Sequence, residues 1–574
     1  MHHARPTSAI LAVILLVAAA RVDAQERADS VPPVPCDSLP VSSVAVTTHR
    51  PTFKGALGWW RKVARAFGLH HDTTEPALVR RFLTLDPGRA CTEFRRTESE
   101  RILRAQPYLA DASVTTTRVG DSVAVTASTI DEVPVVGGAR VRRGSLDALS
   151  LGTMNFLGAG MLVEGRWEQG HVYRDGIGAR LSHTQLFGHP YVLALDGIRH
   201  PIGEEYGAAV SHPFLTDLQR LAWHVGYRTS KDFARMRRPD RVQVAEPLNR
   251  TLWDVGGVVR VGPPRRLLLI GGVVTGEHLL PQNNLFEVDT VSGLLTPTTN
   301  DIAQYQSFDQ RSVASVLGVR ALTYTRMRGL DALVAEQDIA TGTQLATMVG
   351  TRPFSGPILQ NGFASVDLYS AGRSARHFVG VRTEVESRAD LGKREWQHLV
   401  ASGRAAWYFT PTRTWTQEVA LEGAGVWRSI IPFQLELGDR QGGVRGYARS
   451  LEAGAQRLIL RVEERADLGR FQKDRAALGA GVFADAGRIW AGDAPYGTNT
   501  PVRASVGVAL LAAVPVRSQR TIRAEVAVPL ARAEGARPEL RFTIREPARG
   551  FWTDPPRVRW ARLTAVPQEI FGLP

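Results

Sequence analysis

The sequence predicts an all-β transmembrane barrel of about 16 antiparallel strands behind a small N-terminal α+β domain. Three observations carry this. From about residue 146 onward, apolar residues recur at every second position and helical periodicity nearly vanishes. After the N-terminus no apolar run approaches the roughly 18 residues that a membrane helix requires, which excludes a helical bundle but not a barrel. The first 24 residues have the order of an export signal.

That signal is read over Met1–Ala24. Arg5 and its flanking histidines precede the apolar stretch 9–20, and small residues at Val22 and Ala24 suit cleavage before Gln25. The apolar stretch is too short to anchor the chain across a bilayer. No cysteine follows the cleavage position, which argues against a lipid anchor. Export removes nucleic acid from the expected partners. The charge balance alone would have pointed there: 574 residues carry a net charge of +14, with 70 basic residues. Only Lys54, Lys62, Lys231, Lys393 and Lys473 are lysines, and the arginines are spread along the chain without a basic block. Dispersed arginine fits compositional bias or a charged lumen better than a nucleic-acid patch.

The two cysteines, Cys36 and Cys91, both fall early in the chain. In an oxidising compartment they form a disulfide candidate, with two free thiols as the alternative. A closed loop of this size stabilises a domain by about 4 kcal/mol on the chain-entropy account. Their position excludes a cysteine-rich scaffold and a thiolate zinc site.

Residues 25–40, rich in Pro and Ser, read as a linker. The small domain is expected over 41–133. A strand at 41–53 is followed by helical patterning within 55–85, from Trp59, Trp60 and Phe67 to Leu78, Val79 and Phe82. A second helix over 98–105 carries Glu98 and Glu100 on what reads as a solvated face. Strands at 112–118 and 122–130 flank the turn Gly120-Asp121.

The barrel is expected over 146–546. Leu221, Trp223, Val225 and Tyr227 share one face of their segment, and Arg220, His224 and Arg228 the other. Val379, Val381 and Val385 likewise oppose Arg382, Glu384 and Glu386, while Leu540, Phe542 and Ile544 oppose Glu539 and Arg541. A soluble sandwich also alternates, but it explains neither the export signal nor the aromatic residues near strand ends, such as Trp396, Trp407, Trp415 and Trp427. Closure is what satisfies a sheet's backbone in lipid. Sixteen to nineteen strand candidates are present, and polar stretches such as 277–312 read as extracellular loops. Residues 547–574 form a C-terminal tail.

Three motifs stand out within this pattern: NFLGAG at 155–160, VRGY at 444–447 inside GDRQGGVRGY, and FADAG at 483–487. In this order they resemble the BamA/TamA superfamily of outer-membrane assembly and translocation barrels, also described as the bacterial surface antigen family. The segment 77–114 looks like a POTRA domain, that family's periplasmic module. The resemblance covers about residues 41–546 and implies several things. VRGY would sit at the tip of an extracellular loop folded into the lumen, with Arg445 pairing Asp485 on the wall. Glu463, on the inward face of the preceding strand, is a second candidate partner. Phe483 and Gly487 share the inward face, Val444 opens the motif, Gly446 allows special backbone geometry, and Tyr447 packs on the inner wall. Such a lock either stabilises the barrel or serves transport. Asn155, Gly158 and Gly160 would make a tight barrel-start turn.

The function implied is insertion or translocation of polypeptides at the bacterial outer membrane; the alternative is a passive channel or structural barrel. The POTRA-like domain would lie in the periplasm. A weak seam would join a first strand near Leu149 to a last strand near Phe542. The implied partners are outer-membrane lipid, unfolded or nascent outer-membrane or secreted polypeptides, and accessory periplasmic proteins or lipoproteins. The chain departs from the family in having room for one POTRA-like domain and in running on beyond Arg545, where Phe551 or Trp552 would supply the terminal aromatic residue.

Enzyme chemistry is not expected. There is no G-x-S-x-G and no H-E-x-x-H. The adjacent His70 and His71 point apart on a helix and make no metal site, and the GxG at 479–481 is not a nucleotide fingerprint. No cofactor and no metal are expected.

Overall fold

A computed structural model describes residues 34–50 and 73–571, apart from 143–144, 170–174, 201–202, 239–243, 283, 290–293, 299–304, 353–360, 391, 439–442, 449, 451, 472–474, 532, 534 and 546–551. The export signal, residues 25–33 of the linker, the patterning from Trp59 to Phe67, His70, His71 and Phe551 lie outside the described residues.

Among the described residues the small domain is a three-stranded sheet with two helices. Val41–His49 runs parallel to Ser122–Asp131, which pairs antiparallel with Leu109–Val119. The helices are Pro76–Arg81 and Glu93–Arg104. The longer one begins at Thr92, whose hydroxyl accepts the Arg95 amide at 3.3 Å, and ends on Arg101 and Arg104, favourable charges for a helix C-terminus. Leu78, Val79, Leu103, Tyr108, Val123 and Val125 form the core. Cys36 and Cys91 are disulfide-bonded. Residues 34–40 belong to this domain rather than to a linker: the Val34 amide donates to the Thr116 carbonyl at 3.0 Å, and Cys36 is buried.

The expectation of a solvated face at Glu98 and Glu100 is wrong. Both are buried where the helix meets the barrel. Glu98 pairs with Arg101 at 2.8 Å, and Glu100 pairs with Arg104 at 2.6 Å and with Arg326 of the barrel. Arg104 also reaches Asp338 through bonds of 2.8 and 2.9 Å.

The second sheet is a closed antiparallel barrel of 20 strands, not about 16. It begins at Val135–Arg142 rather than near residue 146, and Leu149 lies in the second strand, Ser145–Phe156. Strands such as Gly176–His183 (GIGARLSH) and Gly203–His212 (GEEYGAAVSH) alternate faintly, because Gly, Ala and Ser occupy so many of their positions. Nor is 277–312 simply a loop. Leu267–Pro281 and the 21-residue strand Phe308–Arg328 extend into it, with a rim hairpin, Leu285–Val288 and Leu295–Thr298, between them.

The outer face is apolar. Leu458, Leu460 and Val462 point outward with Val482 and Val508, while Arg457, Glu463, Arg465, Phe483 and Asp485 are buried inside. Trp396, Trp407, Trp415 and Trp427 are exposed at or near strand ends, as a membrane interface favours.

Among the described residues, several segments enter the lumen, including 329–335, where Asp331 meets Tyr408 and Thr521; two of them matter most for the site. One is the connection 428–455. The other is the C-terminal segment, which is no free tail: residues 552–571 turn back inside the barrel as two short helices, Pro556–Ala561 and Val566–Ile570.

Candidate functional site

The connection 428–455 joins the strands Trp415–Trp427 and Gln456–Phe471 and folds back on itself. Leu435–Glu436 bridges Ala453–Gly454, and the Val444 amide donates to the Leu437 carbonyl at 2.9 Å. Backbone passes so close at Gly438 that a Cβ there would lie 2.0 Å from the Tyr447 carbonyl carbon. The fold of the connection carries residues 444–447 onto the wall.

There Arg445 and Asp485 meet face to face. Nε and Nη2 of the guanidinium donate to the two carboxylate oxygens, each at 2.7 Å, and the Arg445 amide adds a third bond at 3.1 Å. The guanidinium carbon lies 3.4 Å from the centre of the Phe483 ring, a cation–π contact in a water-poor setting. A planar fork stacked on an aromatic ring and matched to a carboxylate is a site for arginine, not lysine.

Further charge surrounds the pair. Nη1 of Arg445 is 3.2 Å from Glu525 and 3.6 Å from Glu463. Glu463 is engaged mainly by Arg523, through bonds of 2.9 Å to each oxygen. Gly446, at φ +85°, donates its amide to Glu539 at 3.0 Å. The Tyr447 hydroxyl donates to the Ala504 carbonyl at 3.0 Å, and its ring is fully buried. Gly487 makes room for Val444, whose methyl would lie 2.5 Å from a Cβ at 487. All eight lumenal residues singled out from the sequence therefore gather at one place. Arg523, Glu525 and Glu539 were not singled out. Their inward parity was available from the alternation, but their pairing depends on the wall's curvature.

Asn155, Gly158 and Gly160 do more than turn the chain. The Asn155 side chain donates to Thr74 at 2.9 Å and accepts the Gly160 amide at 2.8 Å, while the Glu75 amide donates to the Gly158 carbonyl at 3.1 Å. A Cβ on Gly160 would strike the Tyr108 ring at 2.7 Å. This turn is a joint between barrel and small domain.

Among the described residues the closing pair of strands has the shortest wall ladder, the adjacent one between Thr521–Pro529 and Glu539–Arg545 having seven residue pairs. Glu539–Arg545 meets Val135–Arg142 over five residue pairs, Leu540 with Val141 through Ile544 with Gly137. Sixteen pairs join Leu221–Met236 to Val244–Val261.

No protein-family model matches the sequence, and no curated protein does. Solved structures are similar at low identity. CdiB from Escherichia coli has 11% identity and a TM-score of 0.45, covering 95% of this chain and 99% of that one. BamA from Haemophilus ducreyi lacking POTRA domains 1–3 has 11% identity and a TM-score of 0.36, covering 88% and 84%. The ferric citrate transporter FecA in its unliganded form has 11% identity and a TM-score of 0.31, covering 73% and 70%. The chain's own closed ladder makes it a barrel. No cluster of metal-ligating side chains occurs among the described residues.

Proposed function

We propose that the chain assists insertion or translocation of polypeptides at the bacterial outer membrane, without covalent chemistry and without a cofactor. The observation that carries this reading is the five-pair seam between Glu539–Arg545 and Val135–Arg142. Each backbone pair lost to lipid must be replaced, so a barrel opens where its ladder is shortest. An opened seam presents two strand edges, which template an incoming strand by β-augmentation.

The small domain adds a further edge at Val41–His49, which among the described residues has a strand neighbour on one side only. In this reading it stands in the periplasm and receives unfolded or nascent chains there, with accessory periplasmic or lipoprotein partners. A passive channel fits less well, because inserted segments, among them 428–455 and 552–571, occupy the lumen.

The test is a disulfide across the seam. Gly138→Cys and Thr543→Cys substitute two residues that face each other in the register. The oxidised pair should lower the envelope content of other outer-membrane barrels or of secreted proteins, and reduction should restore it. Unchanged levels with the seam locked, together with unchanged levels after depletion of the protein, would sink the assembly role.

A further inference from the structure

The C-terminal segment 552–571 contributes nothing to the barrel's backbone ladder, which closes between Glu539–Arg545 and Val135–Arg142 without it. It is nevertheless buried inside, with Val558, Ala561, Leu563, Val566, Ile570 and Phe571 all at 2% exposure or less. We propose that this segment is a detachable plug, and that the lumenal wall is a peptide-binding site for it.

The contacts have the form of a ligand in a receptor. At the centre is Arg562, 2% exposed, whose Nε lies 2.7 Å from Asp554 of the same segment and 3.2 Å from Glu384 of the wall. Asp554 in turn accepts from Ser402 at 2.6 Å and from Arg404 at 3.0 Å. At this centre Asp554 and Arg562 of the segment meet Arg404 and Glu384 of the wall, each opposite its complementary charge. The wall also holds the segment's backbone. Asp254 accepts the Ala565 amide at 2.8 Å, Glu386 accepts the Leu563 amide at 2.7 Å, and Gln344 donates to the Phe571 carbonyl at 2.7 Å. Wall side chains of this kind supply the partners that a short helix cannot find within itself.

A second observation, independent of charge, is that the wall is shaped for the segment's side chains. A Cβ on Gly380 would meet the Trp552 ring at 2.9 Å, and a Cβ on Gly256 would meet Val566 at 3.0 Å. The Trp552 ring also sits edge-on to Tyr369, with centroids 5.7 Å apart. Leu563, Val566, Ile570 and Phe571 cover an apolar stretch of inner wall around Leu269 and Val316. Apolar wall inside a barrel that otherwise points charge inward requires a cover. The ligand class is therefore a short peptide with an Asp–Arg pair followed by apolar residues, and its resident example is 552–571. Because no strand pair holds it among the described residues, the segment leaves without breaking the ladder. Its departure opens the lumen.

The experiment is conductance in planar lipid bilayers. The full chain is compared with a chain ending at Arg545, with folding of each checked by heat-dependent gel mobility. The short chain should conduct several-fold more. A synthetic peptide spanning 547–574 should return it toward the full-chain value, and the same peptide carrying Arg562→Ala should not. Equal conductance of the two folded chains overturns the proposal, as does equal action of the two peptides. If the short chain fails to fold, the full chain carrying Asp554→Ala with Arg562→Ala decides. Raised or flickering conductance supports the plug, and a wild-type trace overturns it.

Discussion

Arg445 and Asp485, forty residues apart, are joined by two parallel bonds of 2.7 Å with the Phe483 ring beneath the guanidinium. Asp485 has no side-chain exposure, so removing its partner strands a buried carboxylate. Arg445→Ala should cost about 3–5 kcal/mol, the penalty of breaking a buried pair from one side. Limited proteolysis of the folded barrel should then cut within 428–455. Arg445→Lys should fall between, since an ammonium keeps the charge but loses the fork and the stacking. The charge swap Arg445→Asp with Asp485→Arg should rescue only in part, because an acid at 445 faces Glu463 and Glu525. Protease resistance equal to wild type in Arg445→Ala would show that the Arg445–Asp485 pair does not hold the connection in place.

How much of this was legible in the sequence differs from element to element. The parity of 457–465 and 482–487 was legible, because lipid on one side and packed charge on the other impose opposite residue types. The strand number was not, since strands rich in Gly, Ala and Ser carry little contrast between faces. The misreading of Glu98 and Glu100 has a different origin: Arg326 and Asp338 lie more than 200 residues away, and only folding brings them to the helix. The C-terminal segment hid for a similar reason. Its two helices are five and six residues long, too short for a periodicity, and their stability comes from the wall.

The turn at Gly160 tests whether barrel and small domain are coupled. Gly160 has φ +63°, and a Cβ there meets Tyr108 at 2.7 Å. Gly160→Ala should destabilise by about 1–3 kcal/mol through strain and overpacking. Adding Tyr108→Leu should recover the steric part but not the backbone part. A double-mutant cycle in urea unfolding measures the coupling. Strict additivity would show that the ring and the turn do not press on each other.

Arg104 ties the domain helix to Asp338 of the barrel, with Glu100 of the same helix as its second carboxylate partner. Arg104→Ala leaves Asp338 with Arg326 and Glu100 with Arg326 and Arg96. The expected cost is about 1.5–3 kcal/mol, the range for hydrogen bonds to charged groups. The domain should then swivel. Spin labels on Ser128 and on an outer barrel residue should report a broadened distance distribution, and an unchanged distribution would place the hinge elsewhere.

Glu132 gives the junction a pH dependence of definite sign. It is 1% exposed, directly before the first barrel strand, and accepts from Ser518 at 2.6 Å and from the Gln519 amide at 3.1 Å. Burial raises its pKa above the ordinary carboxylate value of 4.5, and Arg520 pulls it part of the way back. The folded chain therefore holds this proton more tightly than the unfolded chain does. Stability from this residue increases as pH falls through the folded pKa and is complete below the unfolded one, whereas above the folded pKa the buried charge is carried at a cost. Glu132→Gln has no such proton to bind. In urea unfolding, the wild type should gain on Glu132→Gln as the pH is lowered from neutral towards 4.5. A difference that is flat, or that grows in the opposite direction, would mean that the Ser518, Gln519 and Arg520 bonds outweigh the burial and that Glu132 is held as a carboxylate by its neighbours.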